Sequence, residues 1–153
     1  MDDVLILATA DDPTWAPLID AALQAQARAY APYSGYLVGA AVRCDDETIV
    51  AGCNVENASF GGTICAERNA IWHAVALGRR AFTACVVVTH GAVPGSPCGM
   101  CRQVLAEFAD DLPILLVGRD ATSGFETARR VVSLAALLPE AFGPKSLITA
   151  RRW

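Results

Sequence analysis

The segment Phe82-Thr83-Ala84-Cys85-Val86-Val87-Val88-Thr89, continued through a Gly/Pro loop to Ser96-Pro97-Cys98-Gly99-Met100-Cys101, decides the fold. A short β-branched apolar run closed by turn residues reads as a buried strand. Ser96 and Pro97 then predict an N-cap and a first-turn proline for a helix reaching about Ala109. Pro113 to Val117 is again short and apolar, which makes the unit strand, helix, strand. Working upstream, Thr63 predicts the cap of a helix running to Gly78, with Ile64, Ile71, Ala74 and Val75 on one face. Tyr36 to Cys44 and Thr48 to Val55 flank the acidic turn Asp45-Asp46-Glu47 and read as an antiparallel hairpin. Trp15, Leu18, Ile19, Ala22 and Leu23 recur at helical spacing, predicting a first helix near residues 14–30. Downstream, Phe125 to Val132 predicts a last strand, and Leu134 to Leu138 a short helix stopped by Pro139. Helices alternating with strands in this order indicate an α/β layer fold.

The 153 residues fit a single domain, 1–153, with a short lead over 1–12. Apolar types at 54% and charged types at 18% exclude a disordered chain. Sixteen acidic against twelve basic residues, a formal charge of -4, oppose general binding to a nucleic-acid backbone. No run approaches the roughly 18 apolar residues of a membrane span, and Met1 to Ala10 carries two aspartates where a secretory signal needs basic residues. The expectation is a soluble cytoplasmic protein whose six cysteines are reduced.

If the strands ending near Val55 and Thr89 run the same way, the helices after them start at one edge of the sheet, where α/β proteins bind ligands. Cys65, Cys98 and Cys101 lie at those two helix starts. Cys98 and Cys101, three apart, share a helix face, and with Cys65 they form a candidate set for one zinc ion with an open fourth position. A CxxC pair by itself is shared by metal sites, redox couples and ordinary buried thiols. Glu67, two residues after Cys65, stands where a general acid/base would, although a first-turn glutamate also simply complements a helix dipole. His73 and His90 lack the spacing of metal ligands, and Cys44, Cys53 and Cys85 fall in predicted strands as small apolar residues.

Cys65-Ala66-Glu67 followed by Pro97-Cys98-Gly99-Met100-Cys101 matches the zinc nucleoside and nucleobase deaminase signature in its three-cysteine form. Tyr30-Ala31-Pro32-Tyr33-Ser34, Gly52-Cys53-Asn54-Val55-Glu56-Asn57-Ala58-Ser59, Cys65 to Arg68, Ser96 to Gln103 and Leu137 to Phe142 together resemble the small homotetrameric cytidine deaminases, over about Ala21 to Phe142. That resemblance implies a three-layer α-β-α fold around a mixed five-stranded sheet and one Zn²⁺ per subunit on Cys65, Cys98 and Cys101. It implies that Glu67 shuttles the proton while water adds to C4 of cytosine and ammonia leaves. Tyr36, Asn54, Glu56 and Ala66 would contact the nucleoside, with Asn54 and Glu56 on the sugar. Phe142 would enter a neighbouring subunit's site, and Arg68, Ser96 and Gln103 would support the metal and its loop.

Tyr36 and Phe60 stand where relatives commonly carry Phe and Tyr, Leu37 replaces a frequent proline, and the 119–130 region is longer and richer in arginine. These departures bear on substrate breadth, and Tyr36 with Leu37 motivates the expectation that N4-modified cytidines are accepted. An aminopyrimidine antibiotic of the blasticidin S kind is the rival substrate. A nucleic-acid editing enzyme and a non-catalytic zinc or redox domain are the rivals from other classes.

Overall fold

A computed structural model describes residues 9–148. The expected lead over 1–12 therefore lies partly outside the described residues. A single turn of 3-10 helix, Pro13–Trp15, opens into α1, Ala16–Gln26, and the hairpin β1, Gly39–Cys44, and β2, Ile49–Cys53, follows. Then come α2, Ala66–Ala76; β3, Phe82–His90; α3, Gly99–Phe108; β4, Pro113–Arg119; β5, Glu126–Ser133; and the short helices α4, Leu134–Leu137, and α5, Pro144–Ile148. The strands form one sheet in the order β2-β1-β3-β4-β5, with β3 and β4 parallel and the other pairs antiparallel. The fold is the α/β arrangement expected, mixed and five-stranded.

Alternation along the central strands splits the core into two layers. Ala41, Val86, Val88, Leu115 and Val117 pack with Trp15, Leu18 and Ala22 of the α1 side. Ala40, Val42, Cys85, Val87, Ile114 and Leu116 pack with Ala66, Ala70, Ile71 and Leu105 from α2 and α3. Helices on both faces explain why β3 reads as an unbroken apolar run. Among the described residues, no helix is long and apolar enough to cross a membrane.

Because β2 and β3 are both antiparallel to β1, they run in the same direction with β1 between them. The helices that follow them begin at the same edge of the sheet, as the sequence predicts. Glycines let the helices settle onto the strands: a Cβ at Gly39 would lie 1.9 Å from the Ala22 carbonyl oxygen of α1, and one at Gly52 would lie 2.4 Å from the Ala70 nitrogen of α2.

The boundaries differ from the periodicity at the site. The first helix stops at Gln26 instead of residue 30, since the Tyr30 backbone donates to the Asn54 carbonyl and accepts from Glu56 N–H. Thr63 does not cap α2: its hydroxyl accepts from Asn57 N–H, and Cys65 occupies the N-cap position. Ser96 does not cap α3: its hydroxyl accepts from Arg102, and Cys98 takes the cap position, which leaves Pro97 outside the helix. The two first turns are thus arranged around cysteines, not around the residues with ordinary capping propensity. Strand β1 starts at Gly39, because the Asn54 side chain occupies the Tyr36 carbonyl and the Val38 N–H ahead of it.

Replacing Gly52 by Ala drives a methyl into the α2 backbone and is expected to cost about 1–3 kcal/mol. Urea unfolding would measure it, and an unchanged midpoint would refute the close helix-to-strand contact.

Candidate active site

The N-caps of α2 and α3, Cys65 and Cys98, and the first turn of α3, with Cys101, bring three sulfurs together. Cys65 Sγ lies 3.9 Å from Cys98 Sγ, which lies 3.5 Å from Cys101 Sγ, and all three fall within 4.8 Å of one another. Tetrahedral zinc with bonds of about 2.3 Å holds its sulfurs roughly 3.8 Å apart, so the donor set fits that ion. Among the described residues this is the one cluster of three or more groups able to hold a metal. His73 instead faces the Ala51 carbonyl at 3.4 Å, and Cys44, Cys53 and Cys85 sit in strands as expected.

The cluster is electrostatically prepared for a cation. Cys65 is held down to about 5, chiefly by hydrogen bonding from Cys101 and then by Arg68, against the opposing effect of burial. Cys101 is pushed up in return, because its proton is the one that Cys65 shares. Metal uptake must displace such protons, which ties binding to thiolate formation. Arg68 reaches the cluster through Nη2, 3.4 Å from Cys65 Sγ, while its Nε is buried without a partner. A guanidinium against sulfur offsets the excess negative charge of three thiolates on one divalent ion.

Beside the sulfurs opens a cleft of about 270 Å³, close to the lower bound, roughly 300 Å³, of small-molecule pockets. Its walls include Tyr36, Asn54, Glu56, Ala66, Glu67 and Ser96. Glu67, in the first turn of α2 and 5% exposed, has its carboxyl raised above the usual range by burial, with the neighbouring Cys65 charge adding to the effect. A carboxyl shifted upward holds and returns a proton near neutrality more readily than a solvated one. A two-thiol redox site has no use for Cys65 or Glu67 in these places.

The polar pair opposite is already built into the wall. Asn54 accepts from Val38 N–H and donates to the Tyr36 carbonyl, both at 2.8 Å. Glu56 accepts from Tyr33 N–H at 2.8 Å and from the Ser34 N–H and hydroxyl. The Ser34 hydroxyl is the main cause of a Glu56 carboxyl held below its usual range. Tyr36 points its hydroxyl at Gly95, where an added Cβ would come within 2.7 Å of it.

Phe142 and Gln103, both expected at the site, stay outside the cleft and away from the sulfur cluster of their own chain. Phe142 is 61% exposed, and Gln103 is occupied in donating to the Phe142 carbonyl at 2.7 Å. Arg102, which the sequence reading did not single out, clamps the cysteine loop: Nε donates to the Pro97 carbonyl at 2.7 Å, Nη1 to the Leu137 carbonyl at 2.8 Å and Nη2 to the Ser96 hydroxyl at 3.1 Å. Its place inside the cysteine motif was the available signal. Thr89, buried and accepting from Gly95 N–H, is a wall residue hidden inside an apolar strand.

A sheet sandwiched between helices, with thiol ligands and a buried carboxyl at one edge, places the chain among the zinc-dependent deaminases. Residues 15–115 match the family model described as the cytidine and deoxycytidylate deaminase zinc-binding region. A cytidine deaminase from Sporosarcina psychrophila is 42% identical over 131 residues, covering 85% of this chain and 92% of that protein. One from Mycobacterium tuberculosis is 43% identical over 143 residues, covering 92% and 98%. The crystal structure of cytidine deaminase from Burkholderia pseudomallei superposes with a TM-score of 0.75 at 44% identity, covering 83% of this chain and 98% of that one. The chain belongs to the cytidine deaminase family.

Glu67→Gln keeps the volume and the three sulfurs but cannot carry a proton. Zinc content should stay near one per chain while turnover drops by about 10²–10⁴; elemental analysis beside a rate assay decides, and a variant that remains fast would remove Glu67 from the proton path.

Proposed function

We propose that this protein is a hydrolase that deaminates cytidine and 2′-deoxycytidine, consuming water and producing the corresponding uridine nucleoside and ammonia. The observation that carries the reading is the meeting of three convergent sulfurs, the buried Glu67 and the pair Asn54 and Glu56 at one cleft. Zinc held by Cys65, Cys98 and Cys101 would supply a water activated toward nucleophilic attack at neutral pH. Glu67 is placed to take one proton of the attacking water and hand it to ring N3, and then to carry the second proton of that water to the amine, which leaves as ammonia while the oxygen becomes the uracil carbonyl. The Ala66 N–H, at the start of α2 and without an intrahelical acceptor, offers a donor to the pyrimidine carbonyl. Asn54 and Glu56 face the ribose hydroxyls, and their commitment to the surrounding backbone keeps that end of the cleft rigid. Contacts on the sugar favour a free nucleoside over a free base or an aminopyrimidine antibiotic.

Uridine formation from cytidine should be abolished by chelation and restored by zinc, and release of methylamine from N4-methylcytidine would extend the substrate range at the wall that Tyr36 forms. A zinc-loaded protein inert on both nucleosides would refute this assignment.

We further propose a cytoplasmic homotetramer in which Phe142 completes a neighbouring cleft. In support, Phe142, Val93, Met100 and Phe125 are large apolar side chains left exposed on the single chain. Sedimentation should give four chains for the wild type, with Phe142→Ala raising KM while assembly persists; a fully active monomer would exclude shared sites.

A further inference from the structure

Tyr36 lines the cleft from a strap, residues 36–38, that belongs to no strand and is held from two sides. Asn54 holds it on the cleft side. On the far side Gln26, the last residue of α1 and 2% exposed, donates Nε2 to the Leu37 carbonyl at 3.0 Å. The oxygen of the same amide accepts from Arg119 Nη1 at 3.0 Å, and Arg119 Nε donates to the Gly124 carbonyl at 2.9 Å. Neither Gln26 nor Arg119 lines the cleft.

A primary amide has a donor end and an acceptor end of nearly the same shape, so its partners decide which way it faces. Leu37 offers an acceptor alone, and a guanidinium offers donors alone. Reversing Gln26 would set oxygen against oxygen at Leu37 and an NH₂ group against a cation at Arg119. The turn between β4 and β5 closes Arg119 onto Gly124, which holds the guanidinium where it enforces one orientation. We infer that Arg119 and Gln26 form a positioning relay for the strap and, through it, for the Tyr36 ring at the cleft. This deepens the proposed deaminase reading and rests on it. It also gives the arginine-rich 119–130 region a role that the sequence left open.

Two variants separate positioning from mere stability. Arg119→Met keeps the aliphatic stem and removes every donor; Gln26→Glu keeps the volume and the bond to Arg119 but cannot donate to Leu37. Both should raise the cytidine KM by about tenfold, the effect of about one hydrogen bond, with kcat within about twofold, with zinc content unchanged and with Tm lowered by only a few degrees. In a Tyr36→Ala background the further rise should shrink to within about twofold, as coupled positions require. A lowered Tm with unchanged KM, or a full KM effect without the Tyr36 ring, would overturn the relay. Amide hydrogen exchange at Val38 gives a readout independent of turnover: it should quicken in Arg119→Met while β3 stays protected, and equal exchange would overturn the relay even if the wild type proved inert on cytidine.

Discussion

Three sulfurs from two distant points of the chain must come within contact distance, and much of the architecture answers that demand. Thiols at a helix N-terminus meet favourable backbone dipoles, but only if two helices begin side by side. Strands β2 and β3 achieve this by running the same way on either side of β1, so their following helices emerge at one edge. Glycine at 52 lets α2 lie directly on β2. A side chain there would lift the helix and carry Cys65 with it.

Anchoring residues in this protein serve two neighbourhoods at once. Asn54 directly follows β2, fastens the strap in front of β1 and faces the cleft. Arg102 fastens the cysteine loop and also reaches the carbonyl at the end of α4. Charged and polar groups are spent on backbone atoms of irregular segments, where no ladder or helix can satisfy them. The sheet, by contrast, needs only its apolar alternation and the covering helices.

Most of the fold was legible because apolar periodicity is a strong signal: every predicted strand and long helix exists, and the convergence of Cys65, Cys98 and Cys101 followed from topology. What escaped lay at the ends of elements. Thr63 and Ser96 have the chemistry of caps, yet tertiary partners claimed both hydroxyls and left the cap positions to cysteine. Helix α1 ends early for the same reason, since the Tyr30 backbone is engaged by a distant strand end. Gln26 draws no notice in the sequence, because nothing nearby announces Arg119 93 positions later. Short helix α5 carries too weak a pattern to predict. Phe142 was found only through resemblance, and its own chain gives it no pocket.

The crowding around Gly95 has a consequence for how this sequence can change over time. Any Cβ at that position would meet the Tyr36 hydroxyl at 2.7 Å and the Thr89 side chain at 2.9 and 3.1 Å. A larger residue becomes accessible only once the tip of the Tyr36 ring gives way and position 89 loses its branched side chain. Three sites on three separate segments are therefore bound into one unit of drift. Each step out of it passes through an intermediate in which the cleft wall either clashes or gapes.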